Sequence, residues 1–252
     1  MFDESLFISK KFETFDKTVF MPDNNFNKEI CGFVLALSVI WNDIKNLDLF
    51  IENLNNFQLS LKEKYDVYSS IRGEISGITY SFLMKSVSTI NELFYLIRKS
   101  NKVLKNENYK KIIKQMRNQN RTHWLEIVDI ARMNANDHKN NDTAPSEFKN
   151  ILILIRNNVG FHYSSKELLG GYILEYNESN KIPYISRGNS MKESRFYYAD
   201  ASVQAYYESK IKSDLYSQLN LIRKEVNNSI MNLVTQFINL RAPFRECNKK
   251  EC

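Results

Sequence analysis

The chain has 252 residues, 43% of them hydrophobic and 13% aromatic, which is enough for a real core in one large domain or in a core domain with added helices. Seven Gly and four Pro are too few for an all-β fold built on tight turns. The net charge of +6 comes with an abundance of Asn, Lys and Ile that reads as a low-GC bias, so the charge alone is a muted sign of a nucleic-acid partner.

Cys31, Cys247 and Cys252 form neither a metal-spaced pair nor a disulfide framework, which points to a reducing cytoplasm. MFDESLFISKKF has early acids and no long apolar run, unlike a signal peptide. Residues 1 to about 26 read as an irregular arm with a turn at Pro22-Asp23-Asn24-Asn25. A helix is predicted from about Asn27 to Asn55, with an apolar stripe through Ile30, Val34, Leu37, Trp41, Ile44 and Leu47. Within it, Cys31 to Trp41 is too short to cross a bilayer and is expected to be buried, so no membrane is implied.

A second helical block is predicted over about Ser60 to Lys105, where Gly73 and Gly77 mark either a close helix approach or a break. The third runs from about Glu107 to Met133. Lys110, Lys114, Arg117 and Arg121 fall on one face of it, opposite Ile113, Met116, Trp124, Ile127 and Ala131. That basic stripe either holds an RNA backbone or is a solvated face.

Residues 134 to 143 form an Asn- and Asp-rich loop, and Thr143, Pro145 and Glu147 open the next helix. Gly170-Gly171 is expected to end that pattern, and YILEY with IPYIS to form a small β-hairpin near 172–186. From about Arg195 the chain turns helical again. Its aromatics Phe196, Tyr197, Tyr198, Tyr206 and Tyr207 either pack or stack unpaired bases. A final helix from about Ala205 to Leu240 carries Leu215, Leu219, Ile222, Val226, Ile230, Leu233 and Phe237, for the core or a dimer seam. The tail after Pro243 reads as charged and loose. The whole predicts an all-α bundle of five to six helices in one domain over 1–252.

Chemistry concentrates in FKNILILIRNNVGFHY, Phe148 to Tyr163. Arg156 is permanently cationic and offers a fork of donors to phosphate oxygens. His162, with an imidazole that titrates near neutrality, can take or give a proton. Attack of an RNA 2'-hydroxyl on its own phosphate needs little more than a base and charge stabilisation on the phosphoryl oxygens. Asn157 and Asn158 could hold the ring or the sugar. Arg117 to His123 and Arg132 to His138 share the six-residue spacing, but only Arg156 to His162 closes a strongly apolar helix with further helix following. The stripe Phe148, Leu152, Ile155, Val159 also admits His162 as a helix-end or core histidine. On a straight helix the two residues stand about 120° and about 9 Å apart, too far to meet over one phosphate.

RNNVGFH resembles the motif of the HEPN superfamily: an Arg followed directly by Asn, Asp or His, then a His after four to six intervening residues. The close resemblance covers about residues 145–163. It implies an all-helical, usually dimeric domain, with the motif-bearing part here over about 144–241. It further implies a composite site in which two protomers' motifs face each other, with Gly160 allowing the close approach. Many such domains are metal-independent ribonucleases of toxin–antitoxin and phage-defence systems. The implied site is Arg156, Asn157 and His162, the implied partners are RNA, a second copy, and a neutralising antitoxin or defence protein. A non-catalytic module of the same kind, binding RNA, nucleotide or protein, is the second reading, and an unrelated all-α structural or regulatory protein the third. Neither a phosphate-binding glycine loop, a nucleophile elbow nor a zinc-binding HExxH helix occurs. His138 with Asp137 and Asp142 reads as a solvated turn, so no metal and no cofactor is expected.

Overall fold

Asn27 starts the first helix by accepting the Ile30 amide on its side chain at 3.0 Å, as an N-cap does. Helix α1 (Lys28–Leu61) then buries Ile30, Val34, Leu37, Ile44 and Leu47, the predicted stripe, while Trp41 is only half-buried. The computed structural model describes residues 13–61, 70–133, 152–153, 165–177, 181–187, 189, 194–211, 215–242 and 245–246. Over these residues it is all-α, 82% helical, and the eight helices described exceed the five to six expected. After α1 come α2 (Ser70–Lys99), α3 (Asn101–Leu104), α4 (Glu107–Gln115), α5 (Asn118–Arg132), α6 (Ser165–Tyr176), α7 (Tyr197–Ile211) and α8 (Leu215–Arg241).

The chain divides into two compact units. Unit 1 comprises residues 1–46, 89–158 and 222–252; unit 2 comprises 47–88 and 159–221.

Unit 1 holds the larger described core. Trp124 of α5 is fully buried, and its indole N–H donates to the Tyr109 hydroxyl at 2.7 Å. Phe33 meets both rings nearly edge-on, at 6.5 Å and 6.1 Å between centroids. Burial pushes the Tyr109 phenol well above its ordinary range, so it serves as a neutral acceptor. Ile222, Val226, Ile230, Leu233 and Phe237 of α8 are buried, as is Leu219 in unit 2. Of the two roles open to that stripe, it fills the core.

The described part of the N-terminal arm, residues 13–26, packs through Val19 and Phe26. After the 3-10 turn Lys17–Phe20, the predicted turn closes on Asp23, whose Oδ1 accepts the amides of Asn25 and Phe26 at 2.8 Å and 2.7 Å. Arg241 donates to the Met21 carbonyl at 2.8 Å and to Asp23 at 2.5 Å, and lies over the Phe26 and Phe237 rings. The expected loose tail is corrected at one point: β2 (Arg245–Glu246) pairs antiparallel with β1 (Glu13–Thr14).

In unit 2 two expectations are overturned. Gly170 and Gly171 lie inside α6, because Gly171 packs against the backbone of α7: a Cβ there would stand 1.9 Å from the Ser202 carbonyl oxygen. The expected hairpin near 172–186 fails for the same stretch, since Tyr172–Tyr176 is helical and the two tyrosine rings pack at 4.9 Å one turn apart. Among the described residues, the strand signal is represented by an isolated bridge between Ser186 and Arg195. The expected helix from Ala205 to Leu240 is two helices, α7 and α8. Helix α2 runs unbroken past Gly77, which answers the alternatives left open there. Its glycine admits the Arg195 guanidinium, which would meet a Cβ at 1.8 Å.

The Cys31–Trp41 run buries Cys31, Phe33, Val34, Leu37 and Ile40 but exposes Leu35 and Val39, so it is buried along one face only. It belongs to a stretch, Lys28–Phe57, that is long and apolar enough to cross a membrane by length and composition. Core helices of soluble proteins pass that same test.

Candidate functional site

Arg156, Asn157 and His162 lie outside the described residues, as do the 134–143 loop and the Thr143-Pro145-Glu147 helix start. Of the segment leading to them, Leu152 and Ile153 are described. Both are helical, and Leu152 is fully buried, in agreement with the stripe Phe148, Leu152, Ile155, Val159.

The basic residues are described in full. The expected single helix over 107–133 is broken at Met116–Arg117, where both residues are extended. Two observations account for the break. The Arg117 amide donates to the side chain of Asn232 on α8 at 2.9 Å, and two of the first three residues after the break, Asn118 and Asn120, are weak helix formers. Lys110 and Lys114 therefore lie on α4, Arg117 occupies the N-cap of α5 without a side-chain cap bond, and Arg121 follows in its second turn. Lys110, Lys114 and Arg117 are exposed and Arg121 is half-buried. Glu107 takes a hydrogen bond from Lys110 at 2.6 Å, and that bond, with the nearby charges of Lys110, Lys114 and Lys111, holds its carboxyl below the ordinary range.

The two rival Arg-to-His pairs differ. His123 sits in α5 with Nδ1 2.9 Å from the Glu225 carboxylate, the two side chains 19% and 13% exposed. Its ring is half-buried beside α8, while Arg117 faces solvent at the helix start. Arg132 is exposed in the last turn of α5, and His138 lies outside the described residues. Trp124 continues the same helix as an apolar residue, as expected.

The aromatic cluster of unit 2 is packed at some positions and exposed at others. Tyr197 is buried and stacks on Tyr184 at 4.8 Å. Tyr198 is half-buried between Tyr172 and Phe196, and Phe196 is 63% exposed. Tyr206 is half-buried. Among the described residues, no group of three His, Cys, Asp or Glu side chains is arranged to hold a metal ion.

Helical spacing alone does not pick out Arg98, Lys99, Lys102, Lys105 and Lys111, all exposed and all close in sequence to Lys110, Lys114, Arg117 and Arg121. A running charge sum along the chain would have found them. No protein-family model, no characterised protein and no solved structure matches the chain.

Proposed function

We propose that the chain is a homodimeric, metal-independent endoribonuclease of the HEPN kind, acting in the cytoplasm as a toxin or phage-defence effector. The observation that carries this reading is the run Arg156-Asn157 followed by His162 at the end of an apolar segment. Three further facts support it. The described fold is all-α, Leu152 is buried on the stripe that leads to the motif, and the rival His123 is half-buried with Nδ1 2.9 Å from the Glu225 carboxylate.

In this mechanism His162 removes the proton of a ribose 2'-hydroxyl, whose oxygen then attacks the adjacent phosphorus. Arg156 stabilises the charge gathering on the phosphoryl oxygens. The bond to the 5'-oxygen breaks, and that oxygen takes a proton from the second protomer's motif. The products are a 2',3'-cyclic phosphate and a 5'-hydroxyl. Asn157 positions the ring or the sugar, and Lys110, Lys114, Arg117 and Arg121 hold the RNA backbone. A neutralising antitoxin or defence partner would act by keeping RNA from this site.

The test is cleavage of labelled total RNA in EDTA by wild type, His162→Ala and Arg156→Ala. Cleavage with cyclic-phosphate ends by wild type and by neither variant is expected. Cleavage by all three overturns the assignment. Cleavage by none favours the second reading, a non-catalytic RNA-binding module, which the exposed cations between Arg98 and Arg117 also support.

A further inference from the structure

The net charge of the chain is not spread over it. Unit 2 carries 11 Lys and Arg against 12 Asp and Glu. Unit 1 carries 24 against 17, and nine of those 24, with a single acid, fall between Arg98 and Arg121. Outside that stretch unit 1 has 15 against 16. A genome-wide bias toward lysine acts on both units alike, so it cannot produce this distribution.

The fold turns the same stretch into a surface. It spans the end of α2, all of α3 and α4, and the start of α5. Val103, Tyr109, Ile112, Ile113 and Met116 point inward and are buried. Arg98, Lys99, Lys102, Lys105, Lys110, Lys111, Lys114 and Arg117 are exposed, and Arg121 is half-buried. Among the described residues no ion pair forms to Arg98, Lys102, Lys105, Lys114 or Arg117; the stretch's one acid, Glu107, pairs with Lys110. Such a density of like charge opposes folding by self-repulsion, and a bound polyanion relieves that. Tyr95 is 53% exposed on α2, with the Lys99 ammonium 5.5 Å from its ring centre, so an aromatic face borders the cations.

We infer that the surface from Arg98 to Arg121 is a sequence-independent grip for the backbone of single-stranded RNA, with Tyr95 as a stacking platform at its edge. The choice of RNA among polyanions rests on the ribonuclease reading; the surface itself does not. Cations distributed over four helices suit a chain of phosphates, whereas a compact anion needs donors converging on one point. Lys110 and Lys114 stand one turn apart, about 6 Å along the helix. A lipid surface is the weaker match: no large apolar side chain within 98–121 is exposed to enter a bilayer.

The test uses the full chain carrying His162→Ala, so that RNA is not consumed, and a labelled uridine-only RNA followed by anisotropy as KCl rises from about 50 to about 200 mM. Lys110→Gln, Lys111→Gln and Lys114→Gln together are expected to weaken binding more than about tenfold and to lower the log–log salt slope by about 2, three contacts at about 0.7 each. A control triple at exposed lysines elsewhere, Lys28→Gln, Lys45→Gln and Lys85→Gln, is expected to leave both unchanged. Tyr95→Ala is expected to weaken binding with the slope unaltered, as loss of stacking does. Equal losses from both triples, no RNA binding at all, or tighter capture by phosphatidylserine vesicles that depends on the same three lysines would each overturn the inference. RNA binding through the strip without cleavage by wild type would uphold this surface and remove the ribonuclease; cleavage with an indifferent strip would do the reverse.

Discussion

Unit 1 and unit 2 draw their described cohesion from different chemistry. Unit 1 is closed by interlocking apolar side chains around the Trp124–Tyr109–Phe33 cluster and the inward face of α8. One polar bond, from the Trp124 indole to the Tyr109 hydroxyl, lies at its centre, and at its margin Arg241 ties residues 21–23 to α8. Unit 2 shows fewer fully buried side chains among its described residues and leans on specific close contacts. Arg195 lies over Gly77 and bonds Glu74 at 3.0 Å and Asp200 at 2.9 Å, and Gly171 lets α6 seat on the Ser202 carbonyl. The difference is one of tolerance. A core built from many apolar contacts loses stability in proportion to what is removed, whereas a contact that only glycine permits fails at the first added carbon.

Both tryptophans, Trp41 and Trp124, belong to unit 1, so indole fluorescence follows that unit while far-UV circular dichroism follows both. The largest effect should come from Trp124→Ala. It removes a fully buried indole and leaves the Tyr109 hydroxyl without its donor, at a cost of about 3–5 kcal/mol. That is a large share of the stability of an ordinary domain. A urea titration followed by circular dichroism should show the midpoint fall by the corresponding amount. A midpoint within error of wild type would mean that the cluster is not the centre of unit 1.

Gly171→Ala probes the other unit. The added methyl would meet a backbone carbonyl carbon and oxygen and the Tyr206 Cβ, none of which is the far end of a flexible side chain. The expected cost is about 1–3 kcal/mol. The expected signature is loss of helical signal at lower urea than the loss of indole fluorescence. Coincident transitions in wild type and variant alike would show the two units unfolding as one. Gly77→Ala should cost less, because the group it meets is the end of the Arg195 side chain, which can withdraw.

What the sequence made legible follows the same division. The stripes of α1 and α8 were readable as helix because long apolar periodicity at helical spacing is a local signal. Gly170-Gly171 was not, since a glycine pair has the same local chemistry whether it stops a helix or admits a neighbour. The deciding group, the Ser202 carbonyl, lies far along the chain. The break at Met116–Arg117 is of the same type: its capping acceptor, Asn232, is 115 residues away. YILEY misled because β-branched and aromatic residues favour strands in general, while Tyr172 and Tyr176 found each other one turn apart. Of the candidate site, the motif was legible as residue types and spacing. The basic surface was legible only in part, because a search for one helical face discards exposed cations that belong to the neighbouring helices α2 and α3.

The smallest expected effect is the most exact test of how unit 1 holds its arm. The Asp23 carboxylate accepts the Phe26 and Asn25 amides and faces Arg241. The Phe26 amide does most to hold its carboxyl below the ordinary value of 3.8, with the Asn25 amide and the Arg241 charge adding to it against a partial opposing effect of burial. A carboxyl whose folded value is depressed binds fewer protons in the native state. It therefore contributes stability at pH above its unfolded value and loses that contribution as pH falls through its folded value. Asp23→Asn keeps a side-chain oxygen for the two amides and removes the charge, so it isolates the part that titrates. Thermal melts of wild type and Asp23→Asn should differ slightly at neutral pH, with wild type the more stable. The gap should close as pH drops from about 4 downward. A gap that stays constant across that range would mean that the bond geometry of Asp23, and not its charge, ties the arm to α8.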